Sequence, residues 1–377
     1  MNSASQPSNE LIRVRSDYVG AGAYVVLPGD SAIAVNTTYG VQATGLDGKV
    51  KWQVDLGERC IGLAWQTDGV LLANTLHATH QLDANGTLQN TTQTRHEIAH
   101  APVPWGDGML LATLTRLYAL DSDGGVRWKY RLRDSLGESV RAVLILGVHV
   151  INDEVVVGAV DYNSGVGRVL VLDLEGEVRW QSDLGPITSF FPTGDGEFLY
   201  TLSGYGRFES VCCNSSGDVK WRLPVGGPGL RLDDESLAIL VGNNESPTWD
   251  NWELRMFMKD GLEFSSRLAK GHCSHPPVEA ADGSLYFTSF FKPLDPSESR
   301  LDYTSFVPQP VFQAFDYLMR VKAASHQYDV YYFRARPDED VELLFEDTDS
   351  VAFGPTVAGE NHVFFVHNKD HLVLPIG

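Results

Sequence analysis

The feature that most constrains this 377-residue chain is a short motif that returns about every forty residues. It reads GLDGKVKW from Gly45, QLDANGTL from Gln81, ALDSDGGVRW from Ala119, VLDLEGEVRW from Val171 and VCCNSSGDVKW from Val211. A weaker copy, MFMKDGLEF from Met256, and an acidic turn, RARPDEDVELLF from Arg334, continue the series. The turn glycines Gly48, Gly86, Gly124, Gly176, Gly217 and Gly261 are 38, 38, 52, 41 and 44 residues apart. A period of this length marks one supersecondary unit whose apolar face only a neighbouring copy can cover. Each copy makes sense as a hairpin: an apolar strand ends in Asp or Asn, whose side chain caps the turn, and glycine supplies the left-handed backbone before the next strand.

A second signature precedes each hairpin, with Pro or small residues, an acidic-Gly turn and an alternating strand: APVPWGDGMLLATL, PPVEAADGSLYFTSF and GPTVAGENHVFFVH. Each unit therefore supplies four strands. Seven units run to about Phe345, and Val351 to Ile376 gives three strands more, leaving Leu11 to Arg15 as the fourth. The expected architecture is all-β, a single β-propeller over residues 1–377 with four-stranded antiparallel blades. Eight blades are preferred, closed by pairing of the N- and C-terminal strands, with seven as the alternative if the last segment only completes an earlier sheet. Trp52, Trp128, Trp180 and Trp221 each stand four residues after a marker glycine, where an indole can cover the seam between neighbouring sheets.

The Asp-x-x-Gly-x-x-x-Trp repeat resembles that of the quinoprotein alcohol dehydrogenase-like propellers, a superfamily that also includes a non-enzymatic propeller of the bacterial outer-membrane assembly machinery. The resemblance covers nearly the whole chain and speaks for fold, because one propeller hosts unrelated functions. It implies looking for a pyrroloquinoline quinone site with a calcium-binding carboxylate and Asn, a catalytic Asp and commonly a vicinal cysteine pair. Cys212 and Cys213 are adjacent, but they align with Val171 and Leu172 of another copy, which points to strand packing. No dehydrogenase ligand set carries over residue by residue, so no cofactor is expected, pyrroloquinoline quinone included. A divalent metal is the one ion the residue pattern leaves open.

The formal charge of -20 would repel phosphate backbones and anionic lipid, so neither nucleic acid nor a membrane surface is an expected partner. The start, MNSASQPSNELIRVRSDY, has no basic-then-apolar leader and no lipid-attachment cysteine, and no run of about 18 apolar residues occurs. A cytoplasmic monomer is the expectation, and four cysteines should remain thiols there.

Among candidate chemical sites, His96-Glu97-Ile98-Ala99-His100 matches the zinc-protease pattern, but that chemistry needs a helix, and the flanking Thr and Pro residues predict a connection. His100 and His275 both stand eight residues before turn glycines, Gly108 and Gly283, a position expected at the mouth of the central channel. With His272, Glu97 or Cys273 they could hold a metal or an anionic ligand. The largest departure from the repeat is an insertion at 291–327, in which Val311, Phe312, Phe315, Leu318 and Met319 form one apolar helical face. Phe312, Phe315, Tyr317 and Met319, with Trp249 and Trp252 of the preceding unit, are the candidate anchors for a protein partner. The leading expectation is a non-catalytic binding or scaffold propeller holding a protein, with a basic, immunity-type partner as one version. The alternative is an enzyme or ligand binder at the channel mouth, and a quinone-dependent dehydrogenase ranks below it.

Overall fold

A computed structural model describes residues 12–15, 24–30, 32–37, 39–66, 69–204, 207–242, 251–270, 273, 275–291, 328–336, 339–350, 353–367 and 370–376. The chain is a β-propeller, and the described residues form eight four-stranded antiparallel sheets. The first runs Tyr24–Val26, Ala32–Asn36, Gly40–Gly45 and Val50–Asp55 from its inner to its outer strand. The second spans 62–93, the third 103–131, the fourth 143–181, the fifth 187–223, the sixth 229–270 and the seventh 278–350, all in the same consecutive order. The eighth joins Phe353–Ala358, His362–His367 and Asp370–Pro375 to Ile12–Arg15, with Ile12 opposite Val373 and Arg15 opposite Asp370.

The strand patterns follow from where each strand sits. Second strands are buried throughout, as in Ala32–Asn36, Leu71–Asn74 and Gly108–Ala112, because both faces of the sheet are covered by neighbours. Outer strands Val50–Asp55, Leu88–Gln93 and Val126–Arg131 alternate exposed and half-buried positions, since one face looks at solvent. Lys51, Arg127 and Lys129 on these strands, and Arg179 and Lys220 on the outer strands Val178–Gln181 and Val219–Leu223, discourage pairing with another chain.

Each seam is filled by its own buried cluster. Ala34, Val41 and Ala43 of the first sheet meet Leu63, Leu71 and Leu82 of the second, and Leu110, Leu117 and Ala119 of the third meet Val155, Val157 and Leu170 of the fourth. Phe364 and Val373 of the eighth sheet pack on Ile33 and Val35 of the first, while Phe365 and Leu372 pack on Tyr286 and Tyr332 of the seventh. The eighth sheet thus touches both its neighbours, and its faces hold the first and seventh sheets in one ring.

The repeat motif explains the hairpins at atomic level. The Asp83 carboxylate accepts the N–H groups of Asn85 (2.9 Å) and Thr87 (2.8 Å), and Asp173 does the same for Glu175 (3.0 Å) and Glu177 (2.8 Å). Asn214 replaces the carboxylate and still accepts from Asp218 N–H at 2.8 Å. The six marker glycines have φ between +77° and +85°, a backbone region closed to most L-residues. A register shift just before the turn recurs at Ala43/Thr44, Gln81/Leu82, Ala119/Leu120, Val171/Leu172, Cys212/Cys213 and Met256/Phe257, so the bulge belongs to the repeat.

These N–H contacts hold Asp83 and Asp173 below the ordinary aspartate value, the Thr87 and Glu177 N–H groups contributing most. A depressed folded-state pKa gives stability that is present above the unfolded value and lost as pH falls through the folded one. The urea midpoint should therefore decline from about pH 5 to about pH 3, and decline less steeply in Asp83→Asn/Asp173→Asn, which keeps the acceptor and removes the titration. Equal slopes for the two proteins would show that these turns do not contribute to the acid response.

The tryptophans lie half-buried across the seams, each under the turn of the next sheet. Trp52 Nε1 donates to Ala84 O at 2.9 Å and Trp221 Nε1 to Lys259 O at 2.8 Å. A Cβ built at Gly86 or Gly176 would come within 2.6 Å of the Trp52 or Trp128 ring, and one at Gly217 within 1.8 Å of Trp180 Nε1.

Candidate functional site

In an antiparallel four-stranded sheet, the ends of the second and fourth strands and the starts of the first and third share one end. The connections between second and third strands, and those leading from one sheet to the next, therefore gather on one face of the ring. This face carries five of the exposed large apolar side chains. Tyr39 is 63% exposed in the first sheet's connection, Leu76 42% in the second's, and Tyr162 and Val166 project from the fourth's. Leu184, 48% exposed, adds a fifth from the connection between the fourth and fifth sheets. The insertion falls on this same type of connection, in the seventh sheet between Leu285–Phe291 and Tyr328–Ala335. Phe312, Phe315, Tyr317, Met319, Trp249 and His272 lie outside the described residues.

Trp252 departs from expectation. It is 6% exposed and packs with Leu254, Cys273 and Leu285 at the seam of the sixth and seventh sheets, so it is core and not a surface anchor. Its position explains this: Trp252 is the second residue of the third strand, Asn251–Phe257, opposite Gly242 and Ala269.

The His-Glu-x-x-His segment is extended or turning throughout, with Ile98 bridged to Thr113. Glu97 is exposed while His100 is half-buried, and His96 is held by Arg116 Nη1, so the motif's ligands do not converge. His100 Nδ1 donates to Ala101 O at 2.8 Å, and its own carbonyl accepts from Asn74 Nδ2 at 3.0 Å. Burial lowers the His100 pKa. Burial, and to a smaller degree His100 itself, pushes His149 down to about 4, so both imidazoles are neutral at physiological pH. His149, on the inner strand Val143–Ile151 and tilted against Phe190 at 5.2 Å, was not legible as a companion of His100, because the two are 49 positions apart and occupy different places in their repeats. His275 is half-buried. Cys273 is wholly enclosed and burial drives its thiol pKa strongly upward, which disfavours the thiolate that a metal requires. Among the described residues no group of three or more His, Cys, Asp and Glu is placed to hold a metal. Cys212 and Cys213 are buried thiols within Arg207–Asn214, and burial pushes Cys212 up to about 12.

No family model matches this sequence, and no curated protein matches it. Solved structures do resemble the fold. The structure of BamB from Moraxella catarrhalis superposes with a TM-score of 0.55 at 13% identity, covering 97% of this chain and 96% of that one. KlHsv2 with loop 6CD replaced by a Gly-Ser linker gives 0.51 at 9% identity, covering 88% and 99%. Virginiamycin B lyase from Staphylococcus aureus gives 0.48 at 9% identity, covering 98% and 99%. At these identities the likeness is one of fold, a β-propeller. No helix among the described residues is long and apolar enough to cross a membrane.

Proposed function

We propose that this chain is a non-catalytic binding propeller that recognises a protein partner across the face carrying Tyr39, Leu76, Tyr162, Val166 and Leu184. The observation that carries the reading is that five exposed apolar side chains stand on connections of one face, where a partner would bury them. The charge of -20 favours a basic partner through steering of the encounter, with affinity left to the apolar contacts. A quinoprotein-like type of repeat fits this reading, since that superfamily includes binding propellers as well as dehydrogenases.

Tyr39→Asp combined with Tyr162→Asp tests it. Both residues are exposed, so the fold should persist, and loss of two aromatic anchors should weaken a specific partner by roughly 30-fold or more. The measurement is retention of a basic protein by the immobilised wild type, the double variant and a deletion of residues 292–327, followed by affinity titration. Retention that is equal in all three proteins refutes the reading.

A second reading is a ligand at the mouth of the channel, where half-buried His100 and His275 stand just ahead of the inner strands of the third and seventh sheets. Metal content measured before and after His100→Ala with His275→Ala decides whether that ligand is a metal: a stoichiometric ion lost in the variant supports it, and metal-free wild-type protein removes it.

A further inference from the structure

The third sheet contains a pocket whose charge runs against that of the whole chain. Thr115, Arg116, Arg131, Arg133, Glu138, Ser139, Val140 and Arg141 line an open surface pocket of about 690 Å³. They converge for reasons of topology. Arg116 begins the third strand and Arg131 ends the outer strand, and the antiparallel register sets them directly opposite one another. Arg133 opens the short helix Arg133–Leu136, and Arg141 lies on the connection that leads into Val143–Ile151.

Two cations directly opposite on adjacent strands repel, and two more beside them add to the cost, so the arrangement calls for a counter-charge. The protein supplies little of it. Arg131 Nε is 3.9 Å from Asp134 Oδ1, and Glu138 is the one carboxylate in the lining. This happens in a chain with 49 acidic residues against 29 basic ones, where carboxylates to neutralise four arginines are plentiful elsewhere.

The pocket is also held in shape. Leu132, Leu136 and Val140 are buried in the cluster shared by the third and fourth sheets, which pins the connection from below. Tyr130 and Ser135 hydroxyls are 2.6 Å apart, Ser135 Oγ donates to Gln181 Oε1 at 2.9 Å, and Val143 N–H donates to Leu114 O at 2.8 Å. Arg116 is steadied by His96 and, at 3.4 Å, by the Tyr118 hydroxyl.

We infer that this pocket binds a small polyanion bearing phosphate or carboxylate groups. Planar guanidinium groups match the paired oxygens of both, the Thr115 and Ser139 hydroxyls can add hydrogen bonds, and the volume is that of a small-molecule site. The inference uses none of the residues named for the protein-partner reading, although the pocket lies on the same face of the ring.

Calorimetric titration of the intact protein with inorganic pyrophosphate, and separately with citrate, tests it at matched ionic strength. Saturable one-to-one binding of either probe is expected, at a dissociation constant below roughly 1 mM. The probe that binds more tightly identifies phosphate or carboxylate as the recognised group. Arg133→Gln with Arg141→Gln, both outside the sheets, should weaken that binding about tenfold or more, and Glu138→Gln should tighten it by roughly threefold. Absence of saturable binding by both probes, or equal affinity in the arginine variant and the wild type, overturns the proposal.

Discussion

Gly217→Ala should destabilise the protein by about 3 kcal/mol, whereas Gly48→Ala should cost only about 1 kcal/mol. The two glycines share a left-handed backbone, with φ of +85° and +77°, so the conformational penalty is common to both. They differ in surroundings. A Cβ at Gly48 meets nothing within 4 Å, while one at Gly217 falls 1.8 Å from Trp180 Nε1 and forces the indole out of the seam. Trp180→Ala removes a half-buried indole that packs near Phe198 at 6.0 Å and should itself cost about 2–4 kcal/mol. In the double variant the clash has no partner, so the combined loss should fall short of the sum by about 1–2 kcal/mol. Urea titration of the four proteins measures this coupling, and strict additivity would show that the turn and the indole act independently.

Phe365→Ala should cost about 3–5 kcal/mol, the range for an aromatic side chain deleted from a closed core. Phe365 is fully buried, edge-on to Tyr332 at 5.2 Å and to Tyr286 at 6.2 Å, so its removal opens the seam of the seventh and eighth sheets. The eighth sheet depends on strands from both ends of the described chain, and its loosening should appear locally first. Hydrogen exchange should rise at residues 362–375 and 12–15 before it rises in the third or fourth sheet. Uniform acceleration throughout the ring would mean instead that the propeller opens as a single unit.

The hairpins were legible in the sequence because their causes are local. An Asp that caps its own turn and a glycine with positive φ act within five residues, and a single copy displays both. The Trp–Gly contact was only half legible. Spacing places Trp180 on an outer strand, but its partner is Gly217 of the next copy, and only the ring brings the two together. Trp252 was misread as a surface aromatic because it follows a departure from the repeat, although it stands near the start of a strand and is buried at the seam of two sheets. The influence of His100 on His149, 49 positions away, is likewise a product of the fold and of no spacing rule. The arginine pocket was hidden for a different reason. The net charge argued only against nucleic acid and anionic lipid, and an average over the chain carries no information about the end of one sheet.

The pairing of Ile12–Arg15 with Asp370–Pro375 sets a schedule for synthesis. A ribosome adding about 5–20 residues per second separates the two strands by roughly 20–70 s. Throughout that interval the nascent chain holds an unmatched strand at one end and a growing row of sheets at the other, with the surfaces that will meet at Ile33, Val35 and Phe364 uncovered. An interval with an unpaired strand and uncovered apolar surface is thus built into the order of the strands, and a rearranged gene that encodes the eighth sheet as one continuous segment would shorten it.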